Sequence, residues 1–122
     1  MAGIQHFREL QVWQKAHESV LNIYRITNNF PKHELFGLTS QIRRSAVSVA
    51  ANIVEGFKRK SLRDSINFYN IADSSLEETK YYIFLARDLN YIDQKEFHDS
   101  MELCEGVGRL LARWTQSQRQ YL

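Results

Sequence analysis

Chain breakers are so scarce in this sequence that little besides long helices can be built from it. One proline, Pro31, and five glycines serve 122 residues, and turn signals gather at only three places between long segments of helical period. Four helices are therefore predicted, at about residues 7–27, 32–58, 62–89 and 94–116. Short connections between long helices force neighbours to run antiparallel. The expected fold is all-α, an antiparallel up-down-up-down four-helix bundle in a single domain.

Each boundary has a chemical reason. Asn28-Asn29-Phe30-Pro31 stops the first helix, because asparagine tolerates the left-handed cap and proline cannot continue a helix. Gly37 weakens the first turns of the second, so one helix and two pieces kinked at Gly37-Leu38 both stay open, with Glu34 suiting the positive end of the dipole. Ser61-Leu62-Arg63-Asp64 is an S-x-x-D cap that starts the third helix and leaves Lys58-Arg59-Lys60 in the junction. Asp93, with Glu96 three residues on, starts the fourth. The tail from Gln116 is polar enough to fray.

The second helix organises the rest. Leu38, Ile42, Ala46, Val49, Ile53 and Phe57 recur at helical spacing, and the small residues Ser45, Ser48, Ala50 and Ala51 let a neighbouring backbone approach. It also carries Arg43, Arg44, Asn52 and Glu55, with Arg44, Ser48, Asn52 and Glu55 along one ridge. A helix both tightly packed and charged touches something selective, inside its bundle or across a subunit boundary. All four helices carry more apolar surface than the single stripe a monomeric bundle needs, which predicts a homo-oligomer. Gly106 and Gly108 point the same way: each costs about 1 kcal/mol relative to alanine inside a helix, and close helix contact is the expected compensation.

Catalytic constellations are missing. The residues three before His6, His17, His33 and His98 are Gly3, Gln14, Phe30 and Lys95, so the Glu-x-x-His ligands of di-iron bundles do not occur. Glu102 and Glu105 can share a side, but paired acids on an exposed helix face are ordinarily just solvated. Cys104, the lone cysteine, sits on an apolar stripe nearly two turns from His98 and reads as a buried structural thiol. It excludes an internal disulfide and suits a reducing compartment. The start has no basic leader, and no stretch approaches 18 uninterrupted apolar residues. A soluble cytoplasmic non-enzyme is expected, with no cofactor, no metal and no membrane partner.

Charge is unevenly placed within a net of +2: residues 1–63 hold ten Lys/Arg against four acids, and 64–122 hold six against ten. Lys58, Arg59, Lys60 and Arg63 put four cations into six residues, a spacing that suits successive phosphates of a nucleic acid. The competing reading is that they only complement the helix C-terminal dipole. For Arg43 and Arg44 the favoured partners are carboxylates, Glu55, Asp73, Glu77 or Glu78, in the bundle or at a subunit boundary. Trp13, Tyr69, Tyr81, Tyr82 and Trp114 have faces for base stacking, but at helical spacing they read as core or interface.

Phe7-Arg-Glu-Leu-Gln-Val-Trp-Gln-Lys-Ala16, Phe30-Pro-Lys-His-Glu34, Gly37-Leu-Thr-Ser-Gln-Ile-Arg-Arg44, Ser48-Val-Ala-Ala-Asn-Ile-Val-Glu-Gly56 and Ile71-Ala-Asp-Ser-Ser-Leu-Glu-Glu78 together resemble the four-helix-bundle proteins encoded by intervening sequences in bacterial 23S ribosomal RNA genes. That resemblance covers nearly the whole chain. It implies a homopentameric bundle without known catalytic activity, and Gln41, Arg43, Arg44, Asn52, Glu55 and Gly56 match the family signature. The chain is also similar to the accessory variability determinant proteins of diversity-generating retroelements, which implies a basic pentameric barrel binding nucleic acid and a reverse transcriptase. The third helix departs from the pattern, with Ser74-Ser75 where the family has Gly-Ser. Two functions follow as expectations. The first is a non-enzymatic homo-oligomer that binds structured RNA or ribonucleoprotein weakly through Lys58, Arg59, Lys60 and Arg63. The second is a protein-interaction module or scaffold, without nucleic-acid binding, whose apolar stripes and acidic third helix dock a partner protein.

Overall fold

Local hydrogen bonding cuts the first two predicted segments into shorter pieces. In the structure, a computed structural model describing residues 3–122, a 3-10 turn covers Phe7–Glu9 and α1 runs Gln11–Thr27. The imidazole of His6 accepts the Arg8 N–H at 3.2 Å, and the Glu9 carboxylate accepts the N–H of His6 at 3.1 Å, closing a capping box one turn too early for a continuous helix. Leu10 then turns extended and sinks into the core, only 1% exposed. The helix expected from Phe7 therefore begins at Gln11.

Of the two alternatives at Gly37, the two-piece form is present: a 3-10 turn at Lys32–Glu34 and then α2 at Leu38–Lys58. Glu34 acts as the cap that no Ser, Thr or Asp supplies, accepting the Leu38 N–H at 3.0 Å and the Tyr91 hydroxyl at 2.8 Å. The Leu38 N–H first, and then the Tyr91 hydroxyl, hold this carboxyl below its ordinary range. The stabilisation it gives is present at neutral pH and fades as pH falls through that lowered value.

The sequence-predicted caps of the other helices are in place. Ser61 Oγ accepts the Asp64 N–H at the start of α3, Leu62–Asp88. Asp93 and Glu96 form a reciprocal box at the start of α4, Gln94–Arg119. Between them Asn90 takes the left-handed conformation, φ 63°, that closes the turn. The polar tail stays helical three residues beyond the expected end at 116, with the Ser117 hydroxyl donating to the Trp114 carbonyl at 2.7 Å.

Each helix packs on its sequence neighbours and α1 closes on α4, while the two diagonal pairs do not meet. The cross-links descend in antiparallel register, Asn22 to Ser100 and Ser19 to Cys104 between α1 and α4, Ser45 to Thr79 and Ser48 to Ser75 between α2 and α3. The result is an up-down-up-down bundle around Ile23, Ile42, Ile53, Ile83, Val107 and Leu111. Among the described residues there is no strand, and no helix is long and apolar enough to cross a membrane.

The α2–α3 pair is the tightest seam. A Cβ on Gly56 would lie 2.5 Å from the Tyr69 ring and 3.0 Å from the Ser65 carbonyl oxygen. By contrast, Gly106 and Gly108 have no neighbour nearer than 3.5 Å to such a Cβ, the nearest being Lys15 and Leu76 side-chain carbons. Close helix contact inside the protomer is therefore not what these two glycines serve. Gly106→Ala is expected to stabilise the chain by about 0.5–1 kcal/mol, the helix-propensity gain with no steric cost, in urea unfolding.

Cys104 is fully buried between α1 and α4. Burial pushes its thiol up to about 11, the Ser19 hydroxyl 3.8 Å away offsetting part of the effect. In the folded protein it is expected to resist an aromatic disulfide reagent at pH 8, and to react fully once urea unfolds the chain.

Candidate nucleic-acid interface

The basic cluster occupies the tight corner between α2 and α3. Lys58 is the last residue of α2, Arg59 is its extended C-cap, Lys60 precedes the Ser61 cap, and Arg63 stands in the first turn of α3. All four are exposed. They are not equivalent. Arg59 Nη2 lies 2.6 Å from Glu55 Oε1, and its guanidinium covers the Phe68 ring at 4.4 Å. Among the described residues, Lys58, Lys60 and Arg63 have no carboxylate within 4 Å. The corner thus offers three unengaged cations and a fourth already tied down at an exposed site, where an ion pair contributes well under 1 kcal/mol.

Within the protomer Arg43 and Arg44 meet no carboxylate among the described residues. Arg43 reaches back to the end of α1, donating through Nε to Thr27 Oγ1 at 2.8 Å and through Nη2 to Asn28 Oδ1 at 3.3 Å, with its guanidinium 4.6 Å over the Tyr24 ring. The negative end of a helix dipole, together with the side chains at its last turn, takes the place of a carboxylate. Arg44 is exposed and has no ion pair among the described residues. Three of the four candidate acids are used elsewhere, Glu55 on Arg59, Glu77 on Lys80 at 3.3 Å and Glu78 on the Tyr82 hydroxyl at 2.7 Å, while Asp73 is exposed.

The ridge of α2 is instead a hydroxyl and amide seam. Asn52 Nδ2 donates to the Ser48 carbonyl at 2.8 Å, and the Ser48 and Ser75 hydroxyls meet at 2.9 Å. Thr79 Oγ1 lies 2.8 Å from both Ser45 Oγ and the Ser75 carbonyl, while Ser45 donates to the Ile42 carbonyl. Ser74, next to Ser75 in sequence, is exposed.

Apolar surface does remain outside. Phe36, in the turn before α2, is 92% exposed, and Leu35 beside it is 52% exposed. Both border an open groove of about 600 Å³ lined also by Tyr24, Val47, Arg43 and Arg44. Sequence reasoning missed Phe36, because Leu35-Phe36 ahead of Leu38 reads as the first turn of a core helix. On α3, Ile71, Tyr81 and Phe84 are exposed in the same stretch as Asp73, Glu77 and Glu78. No group of three or more potential metal-ligating side chains converges among the described residues.

The fold defines an all-α protein of the antiparallel four-helix-bundle class with a cationic corner and an apolar groove. The chain matches the family model of the 23S rRNA-intervening sequence protein over residues 8–113, and it belongs to that family. It is similar to the crystal structure of a protein of unknown function from the S23 ribosomal protein family of Bacteroides thetaiotaomicron, with 29% identity and a TM-score of 0.76. The match covers 85% of this chain and 97% of that one. No functionally curated protein matches it.

Proposed function

We propose that this chain is a non-enzymatic bundle that assembles with copies of itself and binds structured RNA or ribonucleoprotein weakly through the α2–α3 corner. The observation that carries the RNA reading is the state of Lys58, Lys60 and Arg63, exposed and without a carboxylate partner among the described residues. Cations whose only task is helix-end complementation need not extend past the cap, yet Lys60 and Arg63 lie beyond α2 and at the positive end of α3. Self-association rests on Phe36 and its groove. Each copy carries both a protruding ring and an apolar recess, and the unpaired Arg44 at the groove complements the acidic outer face of α3 on a second copy. Five subunits is the count the family resemblance implies.

A gel-shift titration over a salt series tests the RNA reading. Binding should be detectable at low salt and fall by roughly 0.7–0.9 in log K per unit log salt for each phosphate contact. The variant K58A/K60A/R63A should lose most of it. Undetectable wild-type binding at low salt, or an unchanged variant, sinks the reading. A protein-docking scaffold is the second reading, favoured by Ile71, Tyr81 and Phe84 standing exposed among acids on α3. A protein partner retained after nuclease treatment would support it.

A further inference from the structure

Up-down-up-down topology sorts the charge along the bundle in a way the linear chain hides. The start of α1, the end of α2, the start of α3 and the end of α4 lie at one end of the molecule. Residues 3–15, 54–70 and 109–122, which build that end, hold nine Lys/Arg against three acids. The remainder, 16–53 and 71–108, holds seven against eleven. The bundle is therefore polarised from +6 to −4 along its axis, and cations of the acidic second half of the chain return to the basic end.

Three of these returning or flanking cations stand at the same end of the bundle as the corner. Arg8 is carried by the 3-10 turn that packs on α2. Arg113 lies beside Glu9, Leu10 and Gln11 in the groove between α4 and the chain's start. Arg119 lies on the other flank of α4, beside Tyr69 and Asn70 of α3. All three are exposed and none has a carboxylate within 4 Å among the described residues. The local acids are largely committed, Glu55 to Arg59 and Glu9 to the N–H groups of Gln5 and His6. Of the seven cations outside that end, Lys80, Arg87 and Lys95 are paired to an acid, whereas Arg25, Lys32, Arg43 and Arg44 have no carboxylate within 4 Å among the described residues, so net charge and not pairing distinguishes the two ends.

We propose that the RNA contact extends over this whole end of the bundle, with Arg8, Arg113 and Arg119 meeting phosphates beside Lys58, Lys60 and Arg63. This rests on the RNA-binding reading above and enlarges its footprint from one corner to a six-cation surface. Such a surface reads backbone charge rather than base sequence.

The salt dependence of binding to a fluorescein-labelled RNA stem–loop distinguishes the footprints. R8A/R113A/R119A should lower the slope of log K against log salt by about 2, because three contacts are lost. R8K/R113K/R119K, which keeps the charge, should restore it, and R25A/K32A/K95A at the opposite end should leave it unchanged. If the alanine variant keeps the wild-type slope while K58A/K60A/R63A abolishes binding, the enlarged footprint is wrong and the corner reading survives. An equal loss in the opposite-end variant also overturns it, since total charge would then be the cause. Absence of any salt-sensitive binding by the wild type removes the underlying reading as well.

Discussion

Gly56→Ala is expected to lower stability by about 1–2 kcal/mol, and Gly56→Val by about 3, even though both replace a helical glycine, in the last turn of α2. Removing a helical glycine normally gains about 1 kcal/mol. Here the added Cβ would stand 2.5 and 2.9 Å from two carbons of the Tyr69 ring and 3.0 Å from the Ser65 carbonyl oxygen. Tyr69 is 2% exposed and meets Trp114 edge-on at 6.3 Å, so its ring has little room to retreat. Ser65 is backbone of α3 and moves only if the helix does. Overpacking of this kind costs roughly 1–3 kcal/mol and outweighs the propensity gain, and the branched valine adds to it. Each kcal/mol lowers Tm by about 4 °C for a chain of this size. Urea and thermal unfolding followed by circular dichroism check it, and a Gly56→Ala protein as stable as the parent would show that α2 and α3 can separate without loss.

Phe36→Glu is expected to weaken assembly by at least tenfold in dissociation constant while leaving the fold of each chain intact. A ring that is 92% exposed in the protomer contributes little to the core, so the helical signal and the unfolding slope should be unchanged. Burying a phenylalanine against a second copy is worth about 1.5–3 kcal/mol, or roughly 10- to 100-fold in affinity for each contact. A carboxylate set into an apolar recess adds a desolvation cost. Light scattering across a dilution series reads the shift in mass. A variant with wild-type mass at every dilution would place the interface elsewhere.

The architecture was legible because breakers are rare and the caps at Ser61 and Asp93 use ordinary chemistry. Reading was weaker wherever the partner of a residue lay in another element. Nothing near Arg43 announces that its guanidinium will find the end of α1, because a helix terminus has no residue code. The histidine cap at His6 and the single buried Leu10 leave no periodic trace, so periodicity alone starts α1 at Phe7, one turn before its actual start at Gln11. Gly56 and Gly106 look alike in sequence; only the register that sets Tyr69 against one and Lys15 against the other separates them. The basic cluster was visible as a run, but Arg8, Arg113 and Arg119 join that end only once four helices have been folded back on each other.

Absolute mass in solution, by light scattering or sedimentation equilibrium at micromolar concentration, tests most directly whether the leftover apolar surface is covered by sister copies. Self-assembly requires a multiple of the 14.4 kDa chain, about 72 kDa for five copies. A single 14.4 kDa species, stable and soluble with Phe36 and its groove open to water, would contradict it.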